Sequence, residues 1–313
     1  MDNIASLNRP WYDITLSGGE PTFHPHISDL ILMLHETLGE RLNRILIITN
    51  GSRNKNLYEK LADLSKVIDV RLLISLHTDH VEMDHISEII ENLSANITMN
   101  FSLMFNPDKR EFVHEIYDTM FELRKKFWFG MNVVTLRDGD IVDTRYTPED
   151  FAWQKKAVKQ FGELVKSVAS KFPPRKKPNR PWYIIRDIED KGEIKTVKQG
   201  NRTLELADGL LKFKGMYCIA HAATLRINAN GRYMGMVCGD DHTIGNIYEK
   251  NSLYALREKL IHSVKCTHRV CGCAANDRIP KFASEEEAKK YIEFAQKRQA
   301  ALFDEYIVAH LNR

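Results

Sequence analysis

Tyr12-Asp13-Ile14-Thr15-Leu16-Ser17-Gly18-Gly19-Glu20-Pro21 runs an apolar strand straight into a glycine pair, an acid and a proline. Two glycines after a strand let the backbone turn with φ above zero and expose its carbonyls. Glu20 then places an acceptor-only carboxylate beside them. Such a corner suits an ammonium group. An ordinary strand-to-helix loop with an exposed acid has the same local sequence, so the rest of the chain has to decide.

Downstream, strand-like runs recur at Arg44 to Thr49, Arg71 to Leu76, Ile97 to Leu103 and Phe129 to Thr135, with helix-sized segments between them. Ile27, Leu30, Ile31, Leu34 and Leu38 follow the i, i+3, i+4, i+7 pattern. Leu57, Leu61 and Leu64 repeat it, as do Ile86, Ile89, Ile90 and Leu93, and then Phe112, Ile116, Met120 and Leu123. Alternation at roughly 30 residues per unit implies parallel strands with right-handed crossovers, in an open sheet or a barrel. Reactive groups then gather where the strands end, which is where the Gly18 to Pro21 corner lies. Thr147-Pro148-Glu149-Asp150 supplies a hydroxyl N-cap, proline at the first helical position and acids in the first turn, predicting a helix to about Ser170. From Lys171 to Gly215 the chain is rich in Pro, Lys and Arg, with short strand candidates at Trp182 to Ile185 and Ile194 to Val197, and reads as an inserted connector.

With 43% of its 313 residues hydrophobic and 28% charged, the chain can bury a core and form one or two domains. A net charge of +3 from 45 basic and 42 acidic residues does not argue for nucleic acid. The one dense basic stretch, Arg175 to Arg180, sits among prolines and reads as solvated. Met1 to Pro10 lacks an apolar h-region, and no run of about 18 apolar residues occurs. Neither export nor membrane insertion is supported, and the cytoplasm is the expected location.

Cysteine usage changes abruptly: none occurs before Cys218, and then come Cys218, Cys238, Cys266, Cys271 and Cys273. An odd count without an export signal argues against a disulfide framework and for metal in a reducing compartment. Thr224 to Asn228 and Arg232 to Met234 flank Ala229-Asn230-Gly231, so a hairpin folds about Asn230-Gly231. It brings Cys238 opposite residues near Ala223, and a bend at Ala220 to Ala222 sets Cys218 beside it. A short helix at Leu253, Leu256 and Leu260 returns the chain to Cys266, Cys271 and Cys273, so four of the five thiols can close one site. Zinc usually shows paired Cys-x2-4-Cys knuckles, whereas the spacings here include nineteen, four and one intervening residues. A four-iron cluster tolerates irregular spacing, which sets iron modestly ahead of zinc. Ser284 with Glu287 caps a closing helix, apolar at Tyr291, Ile292, Ala295, Leu302, Phe303, Tyr306 and Ile307, that is expected to pack on the first domain.

Taken together these residues resemble the radical SAM superfamily. Gly18-Gly19-Glu20-Pro21 matches the turn that ends the family's second barrel strand, Ile47 to Gly51 looks like the end of the third, and Leu73 to His77 like the fourth. The tail from Cys218 through Gly231 and Cys238 to Gly245-Asn246-Ile247 and the last cysteines looks like the twitch or SPASM extensions that hold auxiliary iron-sulfur clusters. It departs in detail: five cysteines are too few for two clusters, six residues separate Gly231 from Cys238 where four are usual, and the last pair is Cys-x-Cys. The implied fold is α/β. A partial (β/α)6 radical SAM-type barrel missing its first βα unit (1–171) is followed by a connector (172–215), a small cysteine-rich hairpin-plus-helix domain (216–283) and a C-terminal helix (284–313).

By the same resemblance Gly18, Gly19, Glu20 and Pro21 hold the methionine amino group of S-adenosylmethionine. Ser75 and Asn50 face its ribose or carboxylate, Val133 and Val134 pack on its adenine, and Cys218, Cys238, Cys266, Cys271 and Cys273 supply one auxiliary 4Fe-4S cluster. His24 and His77 read as loop residues. The implied chemistry is reductive cleavage of S-adenosylmethionine and hydrogen abstraction from a peptide, protein or small-molecule substrate, with an electron donor such as flavodoxin or ferredoxin and with no nucleic acid or membrane partner. One departure weighs most: no Cys-x3-Cys-x2-Cys loop precedes Gly18, and only 17 residues stand before it. Three thiolates leave one iron with an open position, so the chain as given is expected to be inactive alone, and a strand, loop and helix of about 40 residues is expected to be missing. The first strand would then be an uncovered edge, with little to blunt it beyond Asp13. An alternative is a catalytically inactive iron-sulfur or zinc module on the same scaffold. A nucleotide-binding α/β protein with a zinc-stapled tail would need a Gly-x-Gly-x-x-Gly or Gly-x4-Gly-Lys loop, which Gly18-Gly19-Glu20 does not match.

Overall fold

A single turn, α1 (Asp2–Ala5), precedes a five-stranded parallel sheet whose spatial order is its chain order: β1 (Tyr12–Leu16), β2 (Leu42–Thr49), β3 (Val70–His77), β4 (Thr98–Phe105) and β5 (Gly130–Thr135). The computed structural model describes residues 2–138, 141–172, 213–223, 225–234, 243–256, 262–267 and 281–310. The chain divides into two compact units, Tyr12–Lys177 and a second formed by Met1–Trp11 with Pro178–Arg313. The expected first domain began at residue 1. The structure instead joins the first residues to the second unit, where Asn3 Nδ2 donates to the Ile247 and Glu249 carbonyls at 2.8 and 2.9 Å.

Each strand of the first unit stands where an apolar run predicts it, and each crossover is a helix with one apolar stripe. α2 (Ile27–Leu38) buries Ile27, Ile31, Leu34 and Leu38, and α3 (Lys55–Leu64) buries Tyr58, Leu61 and Ala62. α4 (Met83–Leu93) buries Ile86, Ile89, Ile90 and Leu93, and α5 (Arg110–Lys126) buries Val113, Ile116, Tyr117 and Met120. α6 (Pro148–Ser167) starts at a capping box in which Thr147 and Asp150 satisfy each other's backbone N–H, and it ends near the expected residue.

Strand order separates the open-sheet and barrel alternatives. A doubly wound sheet reverses its order and carries helices on both faces. Here the order never reverses, so right-handed crossovers send every helix to the same face, as in a partial barrel. Burial alternates accordingly. Ile45, Ile47, Leu72, Ile74, Leu76, Met99, Phe101, Leu103, Phe105, Met131 and Val133 are buried on the helix side. Fully burying such a side chain is worth about 1.5–3 kcal/mol, so this face holds the unit together. Aromatic rings concentrate there, with Phe101 edge-on to Phe129 at 5.2 Å and Phe105 edge-on to Trp153 at 5.1 Å. Their register neighbours, Leu46, Ile48, Leu73, Ser75, Asn100, Ser102 and Asn132, form the other, partly open face.

Among the described residues β1 is an edge strand, and Asp13 is turned toward β2, accepting from Asn43 Nδ2 at 2.6 Å and Arg44 at 2.7 Å. After β5 comes a small hairpin, β6 (Arg137–Asp138) and β7 (Ile141–Val142).

The second unit is built from short pieces. β8 (Tyr217–Cys218) leads into a helical turn, α7 (Ala220–Ala223). β9 (Arg226–Ile227), β10 (Arg232–Met234) and β11 (Thr243–Asn246) form one antiparallel sheet, followed by α8 (Ser252–Leu256). β12 (Val264–Lys265) and β13 (Lys281–Phe282) flank β8 in another, and α9 (Glu285–His310) closes the chain.

The expected hairpin is present but centred on Asn230, because Gly231 N donates to the Asn228 carbonyl and Asn228 pairs with Arg232. Gly231, at φ 80°, takes the left-handed position of a three-residue loop. Ser284 caps α9 as expected, its Oγ accepting from Glu287 N. The helix was expected to pack on the barrel; within its own unit it buries Ala288, Tyr291 and Ile292 with Phe282 and Cys218 of the small sheet. The strand candidates at 182–185 and 194–197, and Cys238, Cys271 and Cys273, lie outside the described residues.

Candidate functional site

The corner after β1 needs its glycines for backbone reasons. Gly18 and Gly19 sit at φ 94° and 55°, and a Cβ on either would meet nothing within 4 Å. An L side chain there is not crowded out. It is disfavoured by the left-handed backbone itself, at about 1–2 kcal/mol. Both glycines are exposed, and no hydrogen bond among the described residues reaches their carbonyls.

Glu20 is a clasp as well as a charge. Its Oε1 accepts from Thr22 N at 3.1 Å and Thr22 Oγ1 at 2.6 Å, while Oε2 accepts from Asn50 N at 2.7 Å. One carboxylate thus ties the loop after β1 to the loop after β2. Beneath it Thr22 Oγ1 lies 3.4 Å from Thr49 Oγ1, which accepts from Gly51 N at 3.1 Å, and both threonines are buried. Burial pushes the Glu20 carboxyl up, but donors from Thr22, Asn50 and Thr49 outweigh it and hold the group below its ordinary value. Glu20 is therefore an anion at neutral pH, beside exposed carbonyls. Behind it Tyr58 is fully buried, and burial raises its phenol above the usual range.

The next loop is shaped by close approach. At Gly51, φ 77°, a Cβ would meet Ile74 Cγ2 at 2.9 Å and Ile86 Cδ1 at 3.0 Å. His85 Nε2 donates to the Gly51 and Arg53 carbonyls at 3.1 and 2.9 Å, because a carbonyl only accepts. Asn50 is spent locally: its backbone N–H goes to Glu20 and its Oδ1 accepts from Ser52 N at 2.9 Å.

Across the open face the register aligns Ser75, Ser102 and Asn132, one per strand on β3, β4 and β5, with Asn50 just beyond the end of β2. Asn100 lies one layer nearer the strand starts, opposite Gly130. The sequence pointed to Ser75 and missed Ser102, Asn132 and Asn100. The signal was there in the alternation Met99-Asn100-Phe101-Ser102-Leu103, whose polar members mark the face turned from the core. Val133 has the opposite parity from the one needed. It is 1% exposed on the helix side, and its carbonyl accepts from Gln154 Nε2 at 2.8 Å, so its side chain faces away from the row. Val134, its neighbour, lies on the open face.

Charges ring the strand ends in matched pairs. Lys109 meets Asp79 at 2.6 Å, Arg110 grips Asp150 through Nε and Nη2 at 2.6 Å each, and Arg145 bonds Asp143 and Asp108. Tyr146 Oη donates to the Phe105 carbonyl and accepts from Leu136 N at 2.8 Å. The loops after β3, β4 and β5 are thereby cross-tied.

Residues 2–100 match the family model described as Radical SAM superfamily. The match spans about a third of the chain and takes in β1 to β3, the start of β4 and the glycine corner. It supports a radical SAM-type role. No curated protein matches the chain.

In the second unit Cys218 and Cys266 are both buried. Val264 opposes Cys218, and strand alternation puts Cys266 on the same side of β12 as Val264. The two thiols are therefore diagonal neighbours on one face, with a spacing of roughly 7–8 Å. Among the described residues no group of three or more His, Cys, Asp or Glu side chains gathers as a metal site. No helix among them is long and apolar enough to cross a membrane.

Proposed function

We propose that this chain binds S-adenosylmethionine at the strand ends of its first unit and belongs to a radical-forming enzyme. The observation that carries this reading is the exposed Gly18–Gly19 corner, locked by Glu20 to Asn50 N at the end of an unreversed parallel sheet. Exposed carbonyls beside an anion fit the ligand's ammonium, and Ser75, whose side chain has no hydrogen-bond partner among the described residues, fits its ribose or carboxylate. When bound, S-adenosylmethionine supplies a sulfonium carbon-sulfur bond that a single electron can break. The role of the chain's own residues is to seat and orient that group: Glu20 fixes the corner, and the paired charges at the rim hold the later loops.

The 313 residues contain no Cys-x3-Cys-x2-Cys run, so they do not fit the iron that would chelate S-adenosylmethionine, and no electron-transfer step is assigned to them. Cys218 and Cys266, buried on one face of the small sheet, fit two ligands of a separate thiolate centre. Cys238, Cys271 and Cys273 are proposed to complete it, with iron ahead of zinc.

Calorimetric titration of the purified chain with S-adenosylmethionine tests the binding proposal. Saturable binding is expected, with Gly18→Ala weakening it at least tenfold and lowering stability by about 1–2 kcal/mol through its left-handed backbone. No binding to the unmodified chain overturns the proposal. Anaerobic reconstitution should give about four irons per chain and no reductive cleavage. Tightly held zinc without iron-sulfur absorption reverses the metal assignment.

A further inference from the structure

On the open face, Asn100, Ser102 and Asn132 surround Gly130 at the β4–β5 pairing. A Cβ at Gly130 would lie 2.2 Å from Asn100 Oδ1, so the Asn100 carboxamide occupies the space over Gly130 that any side chain there would take. None of these polar side chains, nor Ser75 beside them, has a hydrogen bond among the described residues. Polar side chains in structures are usually paired with protein or water. A contiguous group of them in open register is a set of donors and acceptors available to a ligand.

Three features of the surroundings define that ligand. Among the described residues the arginines and lysine near the face, Arg44, Arg71, Lys109, Arg110 and Arg145, are held by carboxylates, and His77 at the end of β3 is the basic group to which the acetate probe is addressed. The layers next to the polar row carry Ile48 and Leu73 on one side and Met104 and Val134, with His77 in register, on the other, while Phe101, Phe105, Phe129 and Trp153 belong to the helix side. A sugar ring, whose C–H face commonly stacks on an aromatic ring, finds no Phe, Tyr or Trp there among the described residues. Two carboxamides and hydroxyls, each both donor and acceptor, complement another uncharged amide in paired fashion.

We infer that Asn100, laid over Gly130, forms with Ser102 and Asn132 a subsite for an uncharged amide group, carried by a peptide backbone or a small carboxamide. The inference deepens the proposed function and rests on it, since the subsite shares the open face on which S-adenosylmethionine is proposed to sit and is read as the place of the second reactant.

The test is nuclear magnetic resonance of the Asn100 and Asn132 side-chain amides in the full chain, their signals assigned by loss in Asn100→Ala and Asn132→Ala. The probes are N-acetylalanine N-methylamide, N-acetyl-tetraalanine amide, methyl glucoside and acetate, each titrated to tens of millimolar with and without saturating S-adenosylmethionine. Either amide probe should shift both signals saturably, and stronger binding of the longer one assigns a peptide over a small carboxamide. Each alanine variant should weaken binding about threefold to tenfold, the loss of one neutral hydrogen bond.

Gly130→Ala should abolish the shifts without unfolding the chain, because only the end of a flexible side chain must move. Silence with both amides, or a preference for glucoside or acetate, overturns the inference. So does competition, in which S-adenosylmethionine shifts the same signals and displaces the amide. If S-adenosylmethionine fails to bind while the amides do, the subsite stands and the cofactor reading falls.

Discussion

Glu20 combines two duties that sequence reading treats as one. Its charge faces an exposed corner, yet three donors already hold it. Because those donors depress its pKa in the folded chain, the stabilisation it brings is fully present above its unfolded value and is lost as pH falls through the lower folded value. Glu20→Gln should therefore cost about 1–2 kcal/mol at neutral pH, since an amide nitrogen replaces one acceptor. The gap between variant and parent should close as pH drops below about 4.5, a trend that urea melts at several pH values will show. A gap independent of pH would mean that the clasp acts by shape alone. The glycines, acid and proline were legible because each is a local requirement. Glu20's link to Asn50 N was not, because it joins residues thirty positions apart.

At the scale of elements, the first unit was readable almost throughout, since five apolar runs and the helices between them carry clear periods. What the runs alone left ambiguous was face. Val133-Val134 reads as one apolar pair, and only the parity shared with Met131 shows which member is core. The second unit was far less legible, because two-residue strands such as β8, β12 and β13 carry no period and are defined by partners more than forty positions away. Caps, by contrast, are local and quantitative. Thr147→Ala should cost about 1 kcal/mol of stability through the loss of one side of the capping box. Asp150→Ala should cost more, about 2–3 kcal/mol, because Asp150 is buried and holds both the Thr147 N–H and Arg110. Chemical denaturation of the two variants ranks them, and equal costs would show that the Arg110 pair adds nothing.

At the scale of the molecule, the glycine corner and the cysteines fall in different compact units, so their chemistry should be separable by measurement. Cys266 is buried on the face it shares with Cys218, and a thiolate there has little access to water unless a metal holds its charge. Cys266→Ser in the anaerobically reconstituted chain should lower bound iron at least severalfold and lower the melting temperature of the loaded protein. A chelator added to the parent protein should reproduce both effects. Affinity for S-adenosylmethionine should stay within about twofold in each case, because Gly18, Glu20 and Asn50 belong to the other unit. Unchanged metal content in Cys266→Ser would remove Cys266 from the ligand set, and a parallel loss of S-adenosylmethionine binding would show that the two sites depend on one another. The chelator decides between these outcomes and simple misfolding, since it removes metal without altering a residue.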